Sequence, residues 1–286
     1  MLPATVKTLQ YWFCCNLEME TDSCQQFLEF LKFYRCNSIK CLSLGLFPKL
    51  QRLHIDNCKN IEVLSIPRCN RNMISLKSLK IWDCDNLMSC LQGGLAAPYL
   101  SDLSLQYCKK LKYLPERMQS LLPSLRYLEI NNCPEIECFP EGGLPSTLET
   151  LYICDCEKLV TSRRDWGLHR LPFLRVCEIN GTCDEELLLE DLLLPCTLQV
   201  LSFRRHKNLK MLNYLGIRHL TALESLSLID CPLIQSLPRE GLPTSLSKLY
   251  IKKCPLLKPR LEWRKGEDWP KVEYIQCVIV DDEPIP

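Results

Sequence analysis

Leu50-Gln51-Arg52-Leu53-His54-Ile55-Asp56-Asn57-Cys58-Lys59-Asn60-Ile61-Glu62-Val63-Leu64 carries one phrase, L-x-x-L-x-I-x-x-C-x-x-I-x-x-L. The chain repeats it eleven times. The cysteine of the phrase is followed down the sequence as Cys14, Cys36, Cys58, Cys84, Cys108, Cys133, Cys156, Thr182, His206, Cys231 and Cys254, at spacings of 22 to 26 residues. The leucines keep step, as in Leu28 and Leu31, Leu76 and Leu79, Leu100 and Leu103, Leu125 and Leu128, Leu148 and Leu151, Leu198 and Leu201, Leu223 and Leu226, and Leu246 and Leu249. The first copy is weak (Val6, Leu9, Tyr11, Cys14), and the eighth diverges most (Leu174, Cys177, Ile179, Thr182).

A period of this length with this phrase is the signature of a leucine-rich-repeat solenoid. Each copy supplies one short strand whose alternate residues face in and out, so Leu53 and Ile55 enter the coil and His54 faces away. One coil cannot bury its leucines alone; stacked coils bury them together. The reading is an α/β repeat solenoid: a leucine-rich-repeat horseshoe with a parallel β-sheet on the concave face and mostly loop or short helical turns on the convex face. Parallel strands about 4.8 Å apart would make an inner sheet on the order of 50 Å long. The small group after each strand, Asn or Cys in such repeats, packs inside and donates to backbone carbonyls; a thiol does this weakly, and His206 and Thr182 are also donors.

The net charge is +1, which gives no bulk attraction to nucleic acid or anionic membrane. No apolar run approaches the length of a transmembrane helix, and Met1-Leu2-Pro3-Ala4-Thr5 does not read as a signal peptide. A cytoplasmic location is expected, with nucleo-cytoplasmic or plasma-membrane-peripheral placement as alternatives, and the 20 cysteines are expected to be reduced. Cysteines spaced by whole repeats form a line rather than a zinc tetrahedron, and there is no C-x-x-C pair.

The connectors are rich in turn residues. Glu141-Gly142-Gly143-Leu144-Pro145-Ser146 and Glu240-Gly241-Leu242-Pro243-Thr244-Ser245 are near copies, and Gln92-Gly93-Gly94-Leu95 is a third. Pro and Gly there oppose helix. Helical turns are expected at Trp166 to Leu171, at Tyr214 to Leu220 and, more weakly, at Glu185 to Leu194. Residues 1–257 read as the solenoid of about eleven repeats and 258–286 as a C-terminal cap and acidic tail. The cap contains Trp263, Trp269, Val272, Tyr274, Ile275 and the run Cys277-Val278-Ile279-Val280, with Asp281-Asp282-Glu283-Pro284 ending in solvent. Leu2 and Val6 already belong to a repeat, so a bare solenoid end is expected there, with more chain upstream.

The phrases Leu128-Glu129-Ile130-Asn131-Asn132-Cys133-Pro134, Leu226-Ser227-Leu228-Ile229-Asp230-Cys231-Pro232 and Glu240-Gly241-Leu242-Pro243-Thr244-Ser245-Leu246 are distinctive. So are Cys254-Pro255-Leu256-Leu257 and Lys265-Gly266-Glu267-Asp268-Trp269-Pro270-Lys271. Together the repeats resemble the C-terminal leucine-rich-repeat region of plant coiled-coil nucleotide-binding disease-resistance proteins. The resemblance implies a sensor that recognises a pathogen effector or a guarded host protein and holds the receptor's own nucleotide-binding domain inactive. No G-x-x-x-x-G-K-[ST] loop is present, so no residue here is assigned to ADP or ATP, which that domain would bind. No cofactor or metal is expected in this chain.

Recognition would use outward strand positions: Tyr34, Arg52, His54, Trp82, Tyr107, Arg126, Tyr127, Tyr152, Arg204, Arg205, Tyr250 and Lys252. Tyr, Trp and Arg dominate protein–protein hot spots, and Trp82, Tyr107, Tyr127 and Tyr152 are expected to form an aromatic stripe on consecutive coils. The plainer reading is that aromatics suit any sheet surface. Catalysis lacks support, because no G-x-S-x-G elbow or His-centred constellation occurs. A free-standing repeat adaptor, such as the substrate-recognition subunit of a ubiquitin ligase, is the alternative reading. A decayed gene product is a third.

Overall fold

The computed structural model describes residues 5–16, 26–65, 75–90, 97–181 and 193–285. Thr182, Leu2, the Gln92-Gly93-Gly94-Leu95 connector and all of Glu185 to Leu194 except its last two residues lie outside them. The chain packs as two compact units, Met1–Leu148 and Glu149–Pro286.

Both units are built from the same coil. In the first, β1 (Thr8–Trp12), β2 (Phe30–Tyr34), β4 (Arg52–Asp56), β6 (Ser78–Trp82), β7 (Asp102–Gln106) and β8 (Tyr127–Asn131) pair in parallel in that order. In the second, β9 (Thr150–Cys154), β10 (Val176–Asn180), β11 (Val200–Arg204), β12 (Ser225–Ile229), β13 (Lys248–Lys252) and β14 (Cys277–Val280) do the same. This is a parallel-sheet solenoid with few helices. The alternation is as read: in β4, Leu53 and Ile55 are buried, while Arg52, His54 and Asp56 face outward. Leu100, Leu103, Leu105, Cys108 and Leu111 line one coil at 0% exposure. Each such leucine contributes about 1.5–3 kcal/mol.

Two backbone features lie beyond the reading. The residue just before the ladder cysteine is left-handed in every described copy. Phe13, Arg35, Asn57, Asp83, Tyr107, Asn132, Asp155, Arg205, Asp230 and Lys253 have φ from 51° to 64°, and Gly181 has φ 132°. In most copies its N–H bonds the next strand, as Asn57 N to Trp82 O at 2.8 Å, while that of Lys253 bonds the Asp281 carboxylate; the chain then turns into the coil. That turn buries the cysteine, whose Sγ donates to the carbonyl two residues back, as Cys58 to Asp56 at 3.5 Å. Burial pushes the Cys58 thiol up to about 11. His206 takes the same place: 1% exposed, it makes a 2.8 Å bond from Nε2 to Ile179 O. A carbonyl only accepts, so Nε2 carries the proton. Burial lowers the pKa of His206.

The second feature is a separate, minor sheet. In it β3 (Cys41–Ser43) pairs in parallel with β5 (Val63–Ser65), and single bridges continue it at Ser89 and Tyr113. The helical turn at Tyr214–Ile217 is present, and Leu168–Arg170 forms a 3-10 turn inside the predicted 166–171 stretch. Short helices at Met118–Leu121 and Glu157–Thr161 were not anticipated from the turn-rich sequence.

The end of the second unit corrects one expectation. Asp282, Glu283 and Pro284 are exposed as read, but Asp281 and Asp282 are paired rather than free. Asp281 accepts from Lys253 N at 2.8 Å and from Lys258 Nζ at 2.7 Å, and Asp282 accepts from Tyr250 Oη and Lys252 Nζ. They turn the chain into β15 (Glu283–Ile285), antiparallel to β14. The physical reason is charge pairing with cations 23 to 30 residues upstream, which local sequence does not display. Below this turn Asp268, its side chain 1% exposed, accepts from Arg260 Nε (3.1 Å), Arg260 Nη2 (3.2 Å), Lys271 Nζ (2.7 Å) and Leu237 N (2.9 Å). Burial alone would raise its pKa; these donors outweigh it and hold the carboxyl below its usual range.

Candidate recognition surfaces on the sheet faces

In the first unit the strand register arranges outward residues in columns. Gln10, Lys32, His54, Lys80, Ser104 and Glu129 form the middle column, and Trp12, Tyr34, Asp56, Trp82, Gln106 and Asn131 form the next. The left-handed residues Phe13, Arg35, Asn57, Asp83, Tyr107 and Asn132 edge that column.

Aromatic rings gather along this edge. Trp12 and Tyr34 have centroids 5.0 Å apart, and Phe13 meets Tyr34 edge-on at 5.4 Å. Lys32 Nζ lies 5.3 Å from the Trp12 ring, and the Arg35 guanidinium 5.4 Å from the Tyr34 ring. Two coils on, Trp82 and Tyr107 lie 4.8 Å apart. Trp12, Phe13, Trp82 and Tyr107 remain 52%, 57%, 45% and 37% exposed, so these are large rings presented to solvent, Trp12 and Phe13 beside Lys32 and Arg35. Between the two ring groups stand Asp56 and Asn57, and Asn57 donates at 2.7 Å to Asp83, which follows Trp82. Burial raises the pKa of Asp56, against the pull of Lys32 and Arg35. His54, between Lys32 and Lys80, packs edge-on to Phe30 at 5.2 Å. Its pKa is lowered by burial first, then by Lys80, Lys32 and Arg52. Arg52 stacks its guanidinium 5.2 Å over Phe30.

The expected stripe is therefore redrawn. Trp82 and Tyr107 touch, but Tyr127 sits at the opposite end of its strand, in register with Asp102, and its hydroxyl donates to Glu129 at 3.1 Å. Arg126 is exposed immediately before β8. Tyr152 belongs to the second unit, in the middle of β9 and in register with Glu178. The physical reason is the period-two pleat: the four aromatics stand at different distances from their ladder cysteines. The rings missed were Trp12 and Phe13, and a signal existed, because Trp12, Tyr34 and Trp82 all stand two residues before a ladder cysteine.

The second unit presents charge instead. Arg204, Ile229 and Lys252 are in register, with Arg205, Asp230 and Lys253 on their left-handed edge. They line a groove of about 600 Å³ that Tyr250 also borders. Arg205 Nη2 donates to Asp155 Oδ2 at 2.7 Å and contacts Cys154 Sγ at 3.2 Å. Among the described residues no group of three His, Cys, Asp or Glu is placed to hold a metal, and no helix is long and apolar enough to cross a membrane.

Comparison with known proteins agrees with this architecture. Residues 4–134 match the family described as plant disease resistance protein RPS2-like, leucine-rich repeats. The chain is 41% identical over 289 aligned residues to the putative disease resistance protein At3g14460 of Arabidopsis thaliana, covering 98% of this chain. It spans only 20% of that relative's length. The leucine-rich repeat domain of the type III effector XopL superposes with a TM-score of 0.57 at 20% identity, over 89% of this chain and 79% of that one. This likeness concerns the fold alone. The repeats are thus a leucine-rich-repeat region related to those of plant disease resistance proteins.

Proposed function

We propose that this chain is the protein-recognition region of a plant intracellular immune receptor of the coiled-coil nucleotide-binding class, acting in the cytoplasm in defence. The observation that carries the reading is the edge of exposed rings and cations in the first unit: Trp12, Phe13 and Tyr34 with Lys32 and Arg35, then Trp82 and Tyr107. Large rings with few rotatable bonds, desolvated together, are the groups that dominate protein interfaces. A parallel sheet ordinarily has both faces covered; here the leucine core covers one, and the other is offered to a partner. Relatedness to a putative disease resistance protein supports placing that partner in plant defence. The partner is a pathogen effector or a guarded host protein, and the same region restrains the receptor's own nucleotide-binding domain. ADP or ATP belongs to that domain, and no step of catalysis is assigned to this chain.

The test is capture from pathogen-challenged and unchallenged leaf extracts by the wild-type chain and by Trp82→Ala, Tyr34→Ala and Glu149→Ala, quantified by mass spectrometry. The expected result is one or more proteins held by wild type and Glu149→Ala, and lost at least about tenfold by the aromatic variants, as for hot-spot truncation. All four chains should have the same melting temperature. Capture unchanged by either aromatic substitution would overturn the reading.

A further inference from the structure

We infer that the groove of the second unit binds an acidic protein segment, and that the chain's own Asp281-Asp282 turn occupies one end of it as such a segment would. Four cations converge there, Arg204, Arg205, Lys252 and Lys253. The molecule itself shows which chemistry they accept. Tyr250 Oη and Lys252 Nζ both donate to the Asp282 carboxylate, the Lys253 N–H donates to Asp281, and Arg205 holds Asp155. In each case the acceptor is a carboxylate on a polypeptide, reached by side-chain or backbone donors on an outward sheet face.

Two further features favour a peptide over a compact or densely charged anion. Asn180 borders the groove, and its buried Oδ1 has no hydrogen-bond partner. That acceptor asks for an N–H, which a peptide backbone supplies and a phosphate does not. Asp230 also borders the groove, among the cations. A carboxylate there repels a continuous phosphate backbone but tolerates carboxylates spaced along a chain. The Asp282 side chain is 59% exposed, so its hold on Lys252 is that of a surface pair and yields to a longer competing segment.

The experiment is fluorescence anisotropy on the full chain at low salt, with a labelled octapeptide alternating glutamate and glycine. A labelled oligothymidylate of equal charge is the comparison. Asp282→Gly is the informative variant: φ at 282 is 70°, which glycine adopts without strain, so the carboxylate leaves without a backbone penalty. The peptide should bind Asp282→Gly about two- to five-fold more tightly than wild type, the size of one exposed ion pair. Arg204→Glu should weaken it at least about tenfold by replacing attraction with repulsion. Arg204→Gln gives a smaller loss in the same direction and guards against misfolding of the reversed-charge variant; circular dichroism melts confirm both. Trp82→Ala, in the first unit, should leave peptide binding unchanged, so failure here and failure of the recognition reading are separate results. The inference is overturned if neither wild type nor Asp282→Gly binds, if Asp282→Gly gains nothing, if the Arg204 variants bind as wild type, or if oligothymidylate binds as well as the peptide.

Discussion

The two units have interiors of the same kind and differ in what they show to solvent. Inward, Leu103 and Leu105 of the first and Leu226 and Leu228 of the second occupy equivalent positions, all at 0% exposure. Outward, the position two residues before the ladder residue holds Trp12, Tyr34, Asp56, Trp82, Gln106 and Asn131 in the first unit, and Cys154, Asn180, Arg204, Ile229 and Lys252 in the second. The first unit leaves large rings exposed beside cations; the second carries charges, several of them clamped by its own carboxylates. The lesson is that the repeat sets the scaffold while a single outward column sets the chemistry. Rings gain free energy when a partner dehydrates them, whereas paired surface charges gain little and act mainly on steering and specificity.

The largest expected effect concerns the end of the second unit, where the charged face is completed. A Cβ at Gly266 would lie 2.1 Å from Arg260 O, a backbone atom. Gly266→Ala should therefore destabilise by about 3 kcal/mol, the upper end for overpacking, in a denaturant melt. It should also abolish the effect of Asp282→Gly on peptide binding. An unchanged melt would mean that the 258–271 segment does not support the charged face.

Next comes Asp268→Asn. It leaves Arg260 and Lys271 facing a neutral amide in a buried site, at a cost of about 2 kcal/mol. The sign with pH follows from the depressed carboxyl. Its contribution is full above the unfolded value of about 4 and is lost as pH falls through the lower folded value. Wild type should thus lose stability in that acid range more steeply than Asp268→Asn, as followed by melts from pH 6 to 2.

His206 gives a smaller effect at milder pH. Because burial lowers its pKa, the unfolded chain takes up the proton first. Its contribution is complete above the unfolded value of about 6.5 and declines below it, by at most about 1.4 kcal/mol per pH unit. His206→Cys restores the ladder residue and should flatten the stability profile between pH 6.5 and 5. A profile as steep as wild type would assign that slope to other groups. The smallest effect separates the two faces directly: Trp82→Ala and Lys252→Ala should each leave the melting temperature unchanged, since both side chains act outward. A large loss from either would mean that its face is structural cover rather than a binding surface.

Much of this was legible in the sequence because the inward pattern is strict. Leu50, Leu53, Ile55, Cys58, Ile61 and Leu64 are all buried as read, and His206 does substitute for the ladder cysteine as a donor. The left-handed residue before each cysteine was less legible. Asn57, Asp83, Asn132, Asp155 and Asp230 are types that tolerate it, but Phe13, Arg35 and Tyr107 are not, and they hid the rule. The outward columns were partly legible. Trp82 was found, while counting aromatics without fixing their distance from the cysteine drew in Tyr127 and Tyr152. The clamps on Asp268, Asp281 and Asp282 are contacts between distant segments with no periodic signature.

The central claim is that recognition lies on the ring-and-cation edge of the first unit. Hydroxyl-radical footprinting with mass spectrometry tests it most directly, on the chain alone and bound to a partner captured as above. Buried Trp166, at 2% exposure, serves as an internal standard. The account predicts that Trp12, Phe13, Tyr34, Trp82 and Tyr107 label readily when free and are protected together on binding, while Tyr113, 57% exposed on the minor-sheet side, is unchanged. Protection at Tyr113 with Trp12 and Trp82 still labelled would contradict it.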